Sequence, residues 1–251
     1  MKGKNNMTKI KNFFFSEKHT MRNSLLIFII MQFVIALVSL YSKTNPNKNF
    51  IIFSIIILAS TICLYWILQT INYNHDLEPK HVKLTKNIKT IIAIVAFSLI
   101  GEILINYYLP QLLNVALTQN SNLNEQSLNQ MKATPIGMLT ENIYAICIAP
   151  VIEEFLFRYA LIKPKSLEPK LKLSRKYRTI ISMFVFAFMH VMIQAFMVNS
   201  SKEFKLTLIT FCAYFIISSF LSINYYKKGN IKQNMLAHIA YNATVTIIQV
   251  I

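Results

Sequence analysis

Residues 149–159 read APVIEEFLFRY and place three charged side chains inside an apolar run that extends from about residue 143 to residue 162. A helix of this length can cross a bilayer, where each charge at its centre costs roughly 2.5–3.5 kcal/mol. Glu154 and Arg158 are four residues apart, so they can neutralise each other on one helix face. Glu153 lies about 100° around the axis, which leaves it to a separate partner or a function. The alternative is a packing network that uses all three charges between helices.

The composition indicates a membrane protein, since 54% of the 251 residues are hydrophobic and only 14% are charged. A soluble domain of this size needs more polar surface. Six further apolar runs are each long enough to span a bilayer. The sequence therefore predicts an all-α fold, a polytopic transmembrane bundle of about seven membrane-spanning helices. The six runs lie at residues 24–41, 50–73, 90–108, 179–198, 204–226 and 231–251.

The basic residues alternate from one loop to the next. Of the 26 Lys and Arg residues, twenty lie in the N-terminal tail and in every second loop after it, five lie in the other loops, and Arg158 lies within the central run. The positive-inside rule then places the N-terminus in the cytoplasm and, after seven crossings, the C-terminus outside. The net charge of +16 comes from basic loops that are expected to contact the anionic headgroups of the bilayer. A nucleic-acid partner is therefore not expected.

Two further helices carry histidines with a second notable side chain four residues away. One presents Phe186 with His190, and another presents His238 with Asn242. Counted at about 1.5 Å per residue from the nearest basic cytoplasmic residue, Glu153, both histidines and Asn242 lie about 9–18 Å deep. The four polar groups therefore share one layer in the cytoplasmic half of the membrane.

This set of groups can support two kinds of hydrolysis. A carboxylate and an imidazole can remove a proton from water, while a second histidine and an asparagine donate hydrogen bonds to the developing oxyanion. Alternatively, Glu153, His190 and His238 form a two-histidine, one-carboxylate set that could hold zinc. Residue types and spacing leave both possibilities open. Glu102 of the third run either extends the active centre, or is a structural partner for Arg158, or is a polar neighbour, and it is assigned to none of these roles.

Three separated motifs, in this order on separate helices, resemble the CPBP intramembrane proteases, which include the type II CAAX prenyl endopeptidases and the bacteriocin-processing and immunity proteins. The motifs are E-E-x-x-x-R (Glu153, Glu154, Arg158), F-x-x-x-H (Phe186, His190) and H-x-x-x-N (His238, Asn242). The resemblance implies that Glu153 and His190 activate water, that His238 and Asn242 form the oxyanion site, and that the remaining charged pair supports them. Members are described both as metalloproteases and as metal-free glutamate proteases, so zinc is a possible cofactor and none is certain.

The resemblance also predicts an organisation and a function. Residues 1–23 are expected to form a cytoplasmic basic tail, residues 24–135 transmembrane scaffold helices, and residues 136–251 the catalytic domain. The expected activity is cleavage of a membrane-associated peptide or protein in the cell membrane, with a bacteriocin or quorum-sensing peptide precursor as the leading substrate. The alternatives are a non-enzymatic immunity or scaffold protein and, less favoured, a transporter that uses the same groups as a proton relay.

Overall fold

The computed structural model describes residues 13–44, 49–73, 84–116, 135–163 and 173–250, and these residues contain helices and no strand. The predicted helical membrane bundle is thus confirmed. The elements are α1 (Glu17–Thr44), α2 (Asn49–Tyr73), α3 (Leu84–Leu112), α4 (Pro135–Ile143), π1 (Tyr144–Ile148), α5 (Ala149–Glu153), π2 (Glu154–Ala160), α6 (Arg175–Phe196), α7 (Ser201–Lys228) and α8 (Ile231–Val250).

Four stretches in the described part of the chain are long and apolar enough to cross a membrane. They are Ser54–Asn72, Ile88–Leu112, Arg175–Phe196 and Ser201–Lys228. The chain is therefore a multi-pass membrane protein, while the count of seven spans stays a prediction. Residues 1–12, 117–134 and 164–172, which include most of the predicted basic tail and two of the loops that set the orientation, lie outside the described residues.

The central helix, formed by α4, π1, α5 and π2 in succession, contains two π-helical segments. Pro150 lies at the start of α5, between the two. Because proline has no backbone N–H, a regular α-helical ladder cannot continue through it. π-Helical segments often occur at functional sites, since they change the direction in which side chains point. Here the second segment contains both Glu154 and Arg158.

The central helix is enclosed by its neighbours, and aromatic contacts fix its position. All seven residues of π2 are buried. Phe157 makes edge contacts with Phe28 of α1 at 5.9 Å and with Phe186 of α6 at 5.3 Å between ring centroids. Phe155 contacts Trp66 of α2 at 5.3 Å. Ring contacts of this kind add to the stabilisation from apolar burial, so the charged residues of π2 lie inside a packed core.

Helices α3, α7 and α8 pack against one another. At Gly101 of α3, an added Cβ would lie 2.7 Å from a side-chain atom of Ile216 in α7, so only glycine allows this approach. The chain then turns from α7 into α8 at Gly229, whose φ of 67° lies in the left-handed region that favours glycine. This turn brings α8 back along the central helix, and the two elements are in contact.

Candidate active site

Glu154 and Arg158 form a fully buried ion pair. Arg158 Nη1 lies 3.1 Å from Glu154 Oε1, and both side chains are 0% exposed. The Nη2 atom of Arg158 also donates to the carbonyl and to the hydroxyl of Ser218, at 3.2 and 3.0 Å. Its guanidinium group stacks over the Phe186 ring at 4.4 Å. Burying a charge is tolerated when it is paired and hydrogen-bonded in this way, so the pair is a fixed part of the core.

The carboxylate of Glu154 also binds two groups from α8. His238 Nδ1 lies 3.0 Å from Oε1, and Asn234 Nδ2 donates to Oε2 at 3.1 Å. Because a carboxylate that is ion-paired with arginine accepts hydrogen bonds, the Nδ1 atom of His238 carries a proton. Glu154 therefore fixes both the orientation and the tautomer of His238, and it directs the Nε2 atom of that ring towards Glu153.

Glu153 lies between the two histidines. Its Oε1 atom is 3.8 Å from His190 Nε2, and its Oε2 atom is 3.8 Å from His238 Nε2. The Nδ1 atom of His190 lies 2.9 Å from the Phe186 carbonyl and donates to it, so Nε2 carries the lone pair in the neutral ring. The Glu153 side chain is 14% exposed, whereas that of Glu154 is fully buried. Glu153 is thus the carboxylate that a small molecule can reach.

The His190 ring packs against two aromatic rings. The centroids of Phe186 and Tyr214 lie 4.5 and 4.3 Å from its own. Together with the Nδ1 hydrogen bond to Phe186, these contacts fix the plane of the imidazole. A fixed plane keeps Nε2 directed at Glu153, which is the preorganisation that proton transfer needs.

Asn242 satisfies a backbone carbonyl that Pro150 leaves without a donor. In π1 the N–H of Ala149 bonds to the carbonyl of Tyr144, five residues earlier. The next such bond would run from residue 150 to the Ala145 carbonyl, but proline has no N–H. Asn242 Nδ2 donates to that carbonyl instead, at 2.7 Å. One N–H of the carboxamide is used here, and the other is left for a second acceptor.

We expect the hydrogen bond from Asn242 to the Ala145 carbonyl to stabilise the fold. Asn242→Ala should lower the free energy of unfolding by about 1–3 kcal/mol, because the Ala145 carbonyl loses its donor. Adding Pro150→Ala supplies an N–H at the required position, so the double variant should recover part of the loss. Thermal melting of the purified wild type, both single variants and the double variant measures this coupling. Strictly additive effects would show that Pro150 and Asn242 act independently.

Part of the chain matches the model of a known protein family. Residues 135–244 match the model of the Rce1-like family, described as type II CAAX prenyl endopeptidase Rce1-like. These residues are therefore similar to an Rce1-like domain. The match covers the central helix and α6, α7 and most of α8, and it confirms the resemblance to the CPBP proteases. It supports an intramembrane protease that acts within the bilayer on a membrane-associated substrate. Among curated proteins and solved structures, none matches significantly.

The sequence leaves zinc as a possible cofactor, and the site offers suitable donor types for it. Glu153, His190 and His238 present a carboxylate and two Nε2 lone pairs to one another, and hydrogen bonds at both Nδ1 atoms are the usual outer support of metal-bound histidine. Zinc held there would polarise a bound water. At their present separations, however, no three His, Cys, Asp or Glu side chains among the described residues form a metal-binding group.

The site also contains residues that the sequence did not single out. Asn234 bonds Glu154, and Ser218 bonds Arg158. Asn234 lies one helical turn before His238, so the spacing N-x-x-x-H-x-x-x-N was the available signal. Glu102, whose role was left open, accepts a hydrogen bond from the Tyr241 hydroxyl of α8, which ties α3 to the helix that carries His238.

Proposed function

We propose that the chain is an intramembrane endopeptidase in which Glu153 and His190 activate a water molecule to hydrolyse a peptide bond. The supporting observation is the position of the Glu153 carboxylate, 3.8 Å from the Nε2 atoms of both histidines. A water hydrogen-bonded to a carboxylate oxygen and to an imidazole nitrogen at about 2.8 Å from each fits that separation. The partial exposure of Glu153 and His190 allows water to reach them.

The contacts of the two histidines support a division of roles between them. The Nδ1 atom of His190 donates to the Phe186 carbonyl, so its Nε2 atom is available to accept a hydrogen bond from the water. The Nδ1 atom of His238 is held by Glu154, and a hydrogen bond from its Nε2 atom to an oxyanion requires the doubly protonated ring. We assign His238 to the oxyanion and His190 to the base.

The proposed hydrolysis has two steps, the addition of water to the peptide carbonyl and the cleavage of the C–N bond. Glu153 takes a proton from the water, and the oxygen adds to the carbonyl carbon of the scissile peptide. The carbonyl oxygen becomes an oxyanion that accepts hydrogen bonds from His238 Nε2 and from the second N–H of Asn242. As the C–N bond breaks, the leaving nitrogen takes the proton from the Glu153 carboxyl. The products are a carboxylic acid and an amine, and Glu153 is again a carboxylate.

The proposed substrate is a membrane-associated peptide or protein, with bacteriocin and quorum-sensing peptide precursors as the first candidates. The family match over residues 135–244 supports a substrate that is associated with the membrane. The test is peptide release by the purified protein in liposomes that contain a panel of such precursors and a prenylated peptide. We expect cleavage of at least one precursor. No release from any member of the panel would contradict the protease assignment and favour an immunity or scaffold role.

The same assay tests whether the activity depends on a bound metal ion. Wild-type protein is tested with and without a strong chelator, and the metal content of each sample is measured in parallel. A mechanism that depends only on protein groups predicts an unchanged rate after chelation. Loss of activity together with loss of bound zinc would instead assign Glu153, His190 and His238 as its ligands.

We also propose that the N-terminus and the loops rich in lysine and arginine face the cytoplasm. Reporter domains fused after Lys86 and Lys170 should then report a cytoplasmic location, and one fused after Asn122 an external one. The last two fusions flank the central helix and so determine its direction. A cytoplasmic signal after Asn122 would place Glu153 in the opposite half of the bilayer and contradict this orientation.

A further inference from the structure

Asn234 is a fully buried side chain whose carboxamide makes three hydrogen bonds. Its Nδ2 atom donates to Glu154 Oε2 at 3.1 Å and to the Leu221 carbonyl at 2.7 Å. Its Oδ1 atom accepts from Asn224 Nδ2 at 2.6 Å. Asn234 is 0% exposed and lies one turn before His238 on α8. Three bonds from one neutral side chain tie α7, α8 and the central helix together.

The orientation of this amide follows from its partners. Leu221 presents a carbonyl, and Glu154 presents an ionised carboxylate, so both require a donor. Asn224 presents its amide N–H and requires an acceptor. Exchanging the oxygen and nitrogen of Asn234 would therefore oppose donor to donor and acceptor to acceptor at all three contacts. The NH₂ group of Asn234 is thus fixed on Glu154 Oε2.

The two oxygens of Glu154 consequently have separate partners. Asn234 holds Oε2, while Oε1 receives both Arg158, at 3.1 Å, and His238 Nδ1, at 3.0 Å. Without the bond to Oε2, the carboxylate can rotate about its terminal torsion, which is a soft torsion. Rotation would weaken its contact with His238 and release the tautomer and orientation of that ring.

We propose that Asn234 is a positioning residue that acts through Glu154 and His238 on the oxyanion contact. The proposal rests on the proposed function, because it assigns a role in that reaction. An uncharged donor at residue 234 also adds no charge beside Glu154, whereas an acidic residue would add one. Asn234 touches no reacting atom, so its removal should lower kcat and leave KM nearly unchanged.

Two variants test this role. Asn234→Ala should reduce kcat about 10- to 100-fold at every pH, as is typical when a residue that orients an active-site group is lost. Asn234→Asp keeps the shape but adds a carboxyl facing Glu154, with Arg158, His238 and Glu153 as the other charged or titratable groups nearby. At high pH this carboxylate repels Glu154. At low pH the protonated form donates a hydrogen bond, so the ratio of variant to wild-type kcat should rise on acidification.

Asn23→Asp provides the matched control. Asn23 is also buried, and its Nδ2 atom donates to two backbone carbonyls in the N-terminal region. The same chemical change there should leave the ratio of kcat values independent of pH. A flat ratio for Asn234→Asp, or a normal kcat for Asn234→Ala despite lower stability, would overturn the positioning role.

A second readout needs no substrate. At pH 8 the melting temperature of Asn234→Asp should lie roughly 5 °C or more below that of wild type, and the difference should shrink towards pH 5.5. An unchanged difference would contradict the contact between residue 234 and Glu154. If wild type cleaves no peptide, the proposed function fails while this pH dependence still decides whether Asn234 holds Glu154, so the two failures are distinguishable.

Discussion

Glu153→Gln should abolish most of the activity and leave the fold intact. Glutamine keeps the size of the side chain and can donate to one of the facing Nε2 atoms, but it cannot take a proton from water. We expect kcat to fall by about 10²- to 10⁴-fold, while the free energy of unfolding changes by less than about 0.5 kcal/mol. Initial rates in liposomes and thermal melting of the purified protein measure the two quantities.

Glu203→Gln is the matched control for this change. Glu203 is exposed at the start of α7, where its carboxylate accepts from the Asn199 N–H. Glutamine also serves in such capping positions, so activity and stability should both stay close to those of wild type. A Glu153→Gln protein that is unstable or poorly inserted would contradict the assignment of Glu153 to chemistry alone.

Glu154→Gln should instead destabilise the protein. His238 and Asn234 direct donors at the Glu154 carboxylate, and Arg158 forms an ion pair with it. A glutamine leaves Arg158 without a charge partner and turns an NH₂ group towards one of these donors. Breaking a buried pair in this way typically costs about 3–5 kcal/mol, which corresponds to a fall in melting temperature on the order of 10 °C. Activity should fall as well, because His238 loses the group that orients it.

The double variant Glu154→Gln with Arg158→Met tests how much of the lost stability comes from the unpaired charge of Arg158. Methionine fills part of the arginine volume and leaves no lone buried charge, so stability should partly recover. Activity should not recover, since the carboxylate that holds His238 is still missing. Thermal melting and peptide release are measured on the same preparations. A fully stable Glu154→Gln protein would show that the buried pair is not the structural centre described above.

The helical class, the apolar runs and the residues of the three motifs could be read from the sequence, because they depend on composition and on spacing along single helices. The Glu154–Arg158 pair was predicted from its spacing of four and is present in the structure. The two π-helical segments could not be predicted from spacing, and beside the first of them the Ala145 carbonyl accepts from Asn242 of a different helix.

Contacts between helices account for the other differences. The sequence analysis placed Glu154 only with Arg158, whereas in the structure it also accepts from His238. An α-helical projection assigns residues to faces of one helix, but it gives neither the rotation of a neighbouring helix nor the partner of Glu102. The roles of Asn234 and Ser218 depend likewise on packing between α7, α8 and the central helix, which spacing along one helix does not determine.

The most direct test of water activation by Glu153 is a single-turnover cleavage in ¹⁸O-labelled water. Wild-type protein, in excess over a membrane-tethered precursor that it cleaves, is mixed with the labelled solvent, and the product with the new carboxyl group is analysed by mass spectrometry. We expect that product to carry one ¹⁸O atom from the first turnover, and we expect Glu153→Gln to yield almost none of it in the same time. An unlabelled first-turnover product, or equal yields from the two proteins, would contradict water activation by Glu153.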